Sequence, residues 1–141
     1  MSKIVNAIIQ NVADTLIDNS ALEEVVINTP DCESYAPSAV VVLEDVEYLD
    51  ADDSSNKRWG SVEIKIEVTA STCTEFDGYL RIAEINESIV DALCEDPTRD
   101  NNCCDLPIGK ATEIVKSIKS KASKPQCNFN VIIKCHFEES I

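Results

Sequence analysis

The sequence predicts an α+β domain, in which a mostly antiparallel four-stranded sheet carries two helices packed on one face. Three observations predict it. Apolar and polar residues alternate without a break over residues 62–70, which is the period of a strand with one buried face. The pattern then changes to helical spacing over residues 79–93, and alternation returns over residues 129–137. A strand therefore leads directly into a helix that lies across it.

The N-terminal segment is predicted to form an amphipathic helix. Ser2 can accept a hydrogen bond from the free N–H groups of its first turn, and we expect the helix to end near Asn19. Its apolar positions recur at helical spacing: Val5, Ile8, Ile9, Val12 and Leu16. Residues 25–27 then offer a short strand before Pro30, and residues 31–38 have the composition of a loop.

The next strand is predicted over residues 39–43. These residues are apolar without alternation, which is typical of a strand covered on both faces or placed centrally in a sheet. This strand is the best candidate partner for residues 62–70. Between the two, residues 44–57 form a long acidic hairpin excursion, whose early part can continue the first strand. Its tip, residues 50–56, has too few apolar side chains to be buried.

The central helix is bounded by signals at both ends. Thr74 or Asp77 can cap its start, and Pro97 prevents its continuation. Residues 96–106 have loop composition. Residues 108–121 fit either a short helix or a strand, and we favour a strand because the last strand needs a hairpin partner.

Two hairpins with a helix between them give the predicted sheet, and both helices cover the same face. The other face is expected to be uncovered and to carry the polar side chains Glu63, Lys65, Glu67, Asn130, Lys134 and His136. This face therefore meets solvent, a lumen or another copy of the chain.

Length and composition are those of a single domain spanning residues 1–141. A chain of 141 residues buries roughly two-thirds of the surface that its unfolded form exposes, so it needs no disulfide scaffold. The longest apolar run is residues 39–43, far short of the roughly 20 residues of a membrane span, and the N-terminus has no signal pattern. We expect a protein made and kept in a cytosol, without membrane contact, whose seven cysteines are reduced.

Charge is the least ordinary property of the sequence, with a net charge of -14. Residues 1–105 hold six basic against 23 acidic side chains, whereas residues 106–137 hold six lysines against the single Glu113. An acidic body disfavours direct binding of a nucleic-acid backbone, although DNA can slide past an acidic wall. The asymmetry favours head-to-tail packing of identical copies, and the alternative is solvated charge that keeps the protein soluble.

The sequence contains no motif for catalysis or for cofactor binding, so we expect no enzyme activity, no cofactor and no metal ion. Three glycines are too few for a phosphate-binding glycine-rich loop. Zinc ligands prefer closely spaced pairs, and there is no C-x-x-C. The one histidine, His136, follows Cys135, but neighbouring side chains on a strand point to opposite faces. We therefore expect a buried thiol and an exposed imidazole.

Three groups of residues are candidates for contacts with other molecules. They are the hairpin-tip aspartates Asp50, Asp52 and Asp53, the lysine group Lys116, Lys119, Lys121 and Lys124, and the single Trp59. The aspartates superficially resemble a calcium loop but lack the EF-hand spacing. The lysine group has no interleaved aromatic residues, so it suits an acidic protein surface better than a nucleic acid. The tryptophan is either a partner anchor or a core residue.

The order of these segments resembles the bacteriophage tail terminator proteins. The likeness lies in an N-terminal helix, an apolar strand after a proline (Pro37-Ser-Ala-Val-Val-Val-Leu43), a strand led by a tryptophan (Trp59-Gly-Ser-Val-Glu-Ile-Lys-Ile-Glu-Val68), an amphipathic helix ending in Leu-Cys-Glu-Asp96, and a terminal strand from Phe129 to Phe137. It spans most of the chain and contains no catalytic motif.

The resemblance implies a non-enzymatic ring protein of the virion, commonly hexameric, that caps a finished tail tube, ends tail elongation and joins the tail to the head. Its partners would be copies of itself, the tail tube protein and the neck or head-tail connector protein, and DNA would pass through the lumen without specific binding. Assembly would take place in the host cytoplasm. We expect the hairpin-tip aspartates, Glu63, Lys65 and Glu67 to face the lumen or an interface, with the lysine group as the opposing patch.

Three other functions stay open at this stage. A neck or head-completion connector protein would have a similar fold. An acidic DNA-mimic inhibitor would occupy a basic cleft on an enzyme, as the net charge suggests. A small enzyme using Cys127 or Cys135 would need a thiol with a low pKa.

Overall fold

The computed structural model describes residues 3–20, 22–27, 38–49, 57–71, 75–107, 109–117, 121–123 and 126–140. Two helices and six strands follow one another in this part of the chain: α1 (Lys3–Asn19), β1 (Glu24–Ile27), β2 (Ser38–Leu49), β3 (Lys57–Ser71), α2 (Glu75–Glu95), β4 (Thr112–Ser117), β5 (Lys121–Ser123) and β6 (Gln126–Ser140). Neither helix is long and apolar enough to cross a membrane.

All six strands belong to one mixed sheet. The strand order is β1-β2-β3-β6-β4, and β5 pairs with β6 beyond the end of β4. Neighbouring strands are antiparallel except β1 and β2, which are parallel. The two central strands, β3 and β6, are each 15 residues long and pair along their whole length. β2 pairs with β3, and both β4 and β5 pair with β6.

The predicted α+β class is confirmed, but the prediction of four strands is wrong in number. The short strand predicted over residues 25–27 forms β1 and joins the sheet as an additional member, and so does β5, a strand of three residues that was not predicted. A segment as short as β5 holds too few positions for an alternation of polar and apolar residues to show. The parallel pairing of β1 depends on how the chain returns to β2, which the local pattern does not encode.

The core lies between the two helices and one face of the sheet. α1 packs on β1 and β2, α2 packs on β4, β5 and β6, and the helices contact each other, so both cover the same face as predicted. One cluster of buried side chains contains the apolar stripes of both helices and alternate residues of β3 and β6. Gly60 makes room for Phe137, because a Cβ at Gly60 would lie 2.4 Å from Cζ of that ring.

The strand predicted over residues 39–43 and the strand favoured within residues 108–121 both form, as β2 and β4. β2 continues from the apolar run of residues 39–43 into the acidic excursion and ends at Leu49. A β-bulge at Glu44 shifts its register with β3. β4 forms within the ambiguous segment of residues 108–121 and pairs with β6. The hairpin tip, residues 50–56, lies outside the described residues.

Candidate assembly surface

The sheet face that points away from the helices is called the open face here. Its central members alternate with the core residues of β2, β3 and β6: Val40, Val42, Glu63, Lys65, Glu67, Asn130, Ile132 and Lys134. Each of these side chains is half-buried. The open face therefore mixes apolar side chains with charged ones that their neighbours partly shield from water.

Three of the side chains on the open face are apolar. Val42 and Ile132 flank Lys65 in one row across β2, β3 and β6. Val40 stands in the next row, beside Glu67. Apolar groups among charges, without a covering helix, are typical of a surface that contacts another protein.

Lys65 is the centre of a small ion-pair network on this face. Its Nζ lies 2.9 Å from Oε1 of Glu67 and 3.0 Å from Oε1 of Glu44. The hydrogen bonds to Glu67 and to Glu44 raise the pKa of Lys65, against the opposing effect of partial burial. Because the lysine side chain is 26% exposed, we expect the network to stabilise the fold by at most about 1 kcal/mol. Its main effect is to fix the positions of two carboxylates.

A second row across the open face is acidic. Asp45, Glu63, Lys134 and Glu113 are register neighbours on β2, β3, β6 and β4. Two like charges stand opposite each other at Asp45 and Glu63, which is unfavourable without a counter-charge. Lys134 supplies one positive charge between Glu63 and Glu113. The row keeps an excess of negative charge.

Trp59 lies on the same face, near the start of β3. Its register partners are Leu49 on β2 and Glu138 on β6, and its side chain is half-buried. At this end Nζ of Lys57 lies 3.0 Å from Oε1 of Glu138. The tryptophan thus shares the open face with the charged residues of β3.

One end of the open face is covered by the described residues of the segment that precedes β4, namely 104–107 and 109–111. The N–H of His136 donates to the carbonyl of Ala111 at 3.0 Å, and its Nδ1 lies 2.6 Å from the carbonyl oxygen of Lys110. A Cβ at Gly109 would lie 2.3 Å from Cε1 of the imidazole. His136 is consequently only 2% exposed. The prediction of an exposed imidazole is wrong, because a segment distant in sequence covers it.

A groove runs along the β4 edge of the sheet. Its volume is about 500 Å³, and it is lined by Lys110 and residues 112–115. Val115 is 50% exposed and has no register partner, since the pairing with β6 shifts between Ile114 and Lys116. An exposed apolar side chain beside a groove is a candidate contact point.

The two outer edges of the sheet differ in charge. At the β1 edge, Glu23 and Glu24 are exposed. At the other edge, the backbones of Lys116 and Lys121 lie in β4 and β5. One register row runs from edge to edge through Glu24, Ser38, Thr69, Asn128 and Lys121. An acidic edge and a basic edge on one sheet suit contact between successive copies of the chain.

The structure brings part of the predicted set of contact residues together. Trp59, Glu63, Lys65 and Glu67 share the open face, and Lys116 and Lys121 lie at the opposite edge from β1. Asp50, Asp52, Asp53, Lys119 and Lys124 lie outside the described residues. The lumen and interface roles of all these residues stay predictions.

Sequence reasoning missed three apolar members of this surface, Val40, Val42 and Val115. The unbroken apolar run at residues 39–43 contained the signal for the first two, because alternate residues of any strand face opposite sides. Among the described residues, no three His, Cys, Asp or Glu side chains converge as a metal site requires. The chemistry that the open face and the edges offer is that of protein contact.

Comparison with solved structures finds, among other chains, a weak structural neighbour in a virion. No family model and no curated protein matches the chain. Among the solved structures that resemble it is a chain of "Virion of native gene transfer agent (GTA) particle", with a TM-score of 0.43 and 12% sequence identity. The alignment covers 99% of this chain and 100% of that chain. Similarity at this level does not establish a common function.

Proposed function

We propose that this protein is a non-enzymatic structural component of a phage-like virion and that its copies assemble head to tail into a ring. As in the tail terminator proteins that its sequence resembles, the ring would cap the tail tube, end tail elongation and join the tail to the head or neck. The observation that carries the proposal is the opposite charge of the two edges of one sheet, with an open face between them.

The charge difference favours contact between unlike edges. When the β1 edge of one copy meets the β4–β5 edge of the next, Glu23 and Glu24 approach Lys116 and Lys121. A contact between different surfaces of identical chains leaves one unused edge at each end. Further copies therefore bind to the unused edges until the rotation between successive copies closes the ring.

The short edge strands determine how the copies would touch. β1 has four residues, and β4 has six residues interrupted by the unpaired Val115. A continuous main-chain ladder between copies would therefore be short. Side chains must supply most of the contact, with Val115 and the groove beside it as an apolar point within a polar rim.

The acidic row of the open face suits a passage for DNA. Negative side chains repel the phosphate backbone, so a wall that carries them does not retain DNA. We place Glu63 and Glu67 at the lumen or at an interface, together with the hairpin-tip aspartates.

DNA mimicry is less well supported by the same face. An inhibitor of this kind presents negative charge in the pattern of a phosphate backbone. On the open face, Lys65 stands between Glu44 and Glu67, and Lys134 stands between Glu63 and Glu113. Basic side chains at these positions interrupt the negative charge.

A charge reversal at the basic edge tests the proposal. The double variant Lys116→Glu and Lys121→Glu is expected to stay folded but monomeric, as measured by mass photometry and circular dichroism. The matched control, Lys3→Glu and Arg81→Glu, changes the net charge equally on the two helices and should still form the ring. A ring that forms equally well in both variants contradicts the proposed contact.

The position in the particle is tested separately. We expect chemical cross-linking of assembled particles to join this protein to the tail tube protein on one side and to a neck or head protein on the other. Cross-links to head and neck proteins alone would favour a head-completion connector instead. A protein that is missing from purified particles would refute the virion role.

A further inference from the structure

The groove beside β4 is open on its outer side. Its volume is about 500 Å³, and its walls come from Lys110 and residues 112–115. Among the described strands, β4 pairs only with β6, so none of them covers its other side. Val115 is 50% exposed there and stands outside the register of the pair. The groove therefore offers an apolar contact along an uncovered strand edge.

β1 has the length and the chemistry to occupy this groove. It has four residues, Glu24–Ile27, and its one partner among the described strands is β2. Val25 and Ile27 pack against the core, whereas Val26 is half-buried on the open face. Glu24, at its start, is exposed and acidic. Since β1 and β4 lie at opposite edges of one sheet, a β1 that enters the groove belongs to another copy of the chain.

The directions of the strands decide how the next copy is oriented. β1 and β2 are parallel, and each further step, to β3, β6 and β4, is antiparallel, so β1 runs opposite to β4. Copies that join unlike edges and keep their helices on one side of the sheet also keep their strand directions. β1 of the next copy then lies antiparallel to β4. A parallel joint would bring Glu24 to the start of β4, near Glu113, where like charges repel.

Burial determines the alignment along the groove. Val25 packs on the core side of the sheet, and so does Ile114 of β4. When these two residues stand opposite each other, the joined sheets keep the same inner and outer faces. Because the bulge adds Val115 between Ile114 and Lys116, Glu24 then stands level with Lys116. Opposite charges meet across the joint, and the exposed Val115 gains an apolar neighbour in Val25.

This alignment staggers successive copies along the strands. Within one chain, Glu24 shares a register row with Lys121, through Asn128 of β6. Lys116 pairs with Ile132, four rows further along β6. Four rows span about 13 Å along the strands, and five strands span about 24 Å across them. The strands would therefore tilt by about 30° from the ring axis, close to the tilt of about 35–45° in closed barrels.

We propose that β1 of the next copy lies antiparallel in the groove beside β4, with Glu24 level with Lys116 and Val25 beside Val115. This inference rests on the proposed function, since it names the contact through which the copies of the ring join. The partner is a second copy of this chain, and the joint continues one sheet from copy to copy.

An exchange of charges tests the alignment. Glu24→Lys and Lys116→Glu, each made alone, place like charges at the joint. Each should raise the protein concentration at half assembly about tenfold, as measured by sedimentation velocity. The double variant with both changes restores an opposite pair and should assemble as the wild type does. The matched control combines Glu24→Lys with Lys121→Glu. It has the same net charge but keeps like charges at the joint, so it should stay impaired.

A second pair of variants tests the apolar contact. Val115→Asp puts a charge into the groove and should raise the concentration at half assembly about tenfold or more. The control Leu80→Asp changes a side chain on α2 that is equally exposed, at 50%, and should assemble as the wild type does. Because both side chains are exposed, both variants should stay folded, which circular dichroism measures.

The outcomes distinguish this contact from the proposed function. If the exchange with Lys121 restores the ring and the exchange with Lys116 does not, the copies join without a stagger and the inference is wrong, although the ring stands. A ring that forms equally well in Glu24→Lys, Lys116→Glu and Val115→Asp also overturns the inference, because its contact then lies elsewhere. A wild-type chain that stays monomeric refutes the ring itself.

Discussion

Two aromatic side chains of β6 explain why residues 60 and 109 are glycine. The ring of Phe137 occupies the space beside Gly60, and the imidazole of His136 occupies the space beside Gly109. Neither glycine has a positive φ angle, so each is needed for its lack of a side chain and not for a special backbone conformation. A single added methyl group is therefore a sensitive probe at either position.

Gly109→Ala is expected to destabilise the protein. Its Cβ would lie 2.3 Å from Cε1 of His136, so the imidazole or the covering segment must move. Overpacking of this kind costs about 1–3 kcal/mol in the free energy of unfolding, which urea denaturation measures. The control Lys110→Ala removes an exposed side chain and should change that free energy by less than about 0.5 kcal/mol. Equal stability of the two variants would mean that Gly109 and its described neighbours do not pack on His136.

The adjacent residues Cys135 and His136 show what a local pattern can predict. The alternation of a strand places Cys135 in the core, which is confirmed, and directs His136 to the other face, which is also correct. Burial of the imidazole was not predictable in this way. It results from residues 104–107 and 109–111, which are about 30 positions away in the sequence and have no periodicity of their own.

At the scale of the secondary-structure elements, two neighbouring valines of β2 lie on opposite faces of the sheet. Val41 is 0% exposed in the core, whereas Val42 is half-buried on the open face. We expect Val41→Ala to lower the free energy of unfolding by about 2–3 kcal/mol and Val42→Ala to lower it by less than about 1 kcal/mol. Urea denaturation of the two variants gives the comparison.

The same two variants should rank in the opposite order when ring assembly is measured instead of the free energy of unfolding. Val42→Ala is expected to weaken any contact that uses the open face, while Val41→Ala should leave the ring intact wherever it stays folded. Losses of stability that are equal in the two variants would show that Val42 is covered within the isolated chain.

The long elements were predictable from the sequence. Of the short ones, residues 25–27 were predicted as a strand and form β1, but neither the place of β1 in the sheet nor β5 was predicted. β3, β6 and α2 each repeat their period several times, so chance cannot easily imitate them. β4 was predictable only through the need of β6 for a partner. β1 and β5 are stabilised by pairing with neighbours, and pairing is a property of the tertiary structure.

For the whole molecule, the uneven distribution of charge predicts that assembly depends on ionic strength. The attraction between charges on the two edges is largely screened when the charges are more than about 8–10 Å apart at physiological salt, and more than about 3 Å apart at 1 M salt. We expect the ring to form at low salt and to dissociate towards the monomer near 1 M salt, as measured by mass photometry. A ring that is equally stable at both salt concentrations would indicate apolar contacts instead of charge.

As with the fold, part of the candidate surface was predictable from the sequence and part of it was not. The alternation in β3 correctly predicted a common face for Glu63, Lys65 and Glu67. The position of Lys116 and Lys121 at the far edge from β1 followed from the fold and not from the sequence, because the strand order decides which charged residues lie at an edge. The groove beside Val115 was also not predictable from the sequence, since it depends on a bulge in a strand of six residues.

The bulge in β4 has a further consequence for the behaviour of the protein in a crowded cell. Amyloid grows when identical strands stack without interruption, each offering a straight template to the next molecule. Here the outermost strand is short and is broken at Val115, so a second chain cannot extend it for long. If the proposed virion role is correct, we expect free subunits of this acidic protein to accumulate before assembly without forming fibrils.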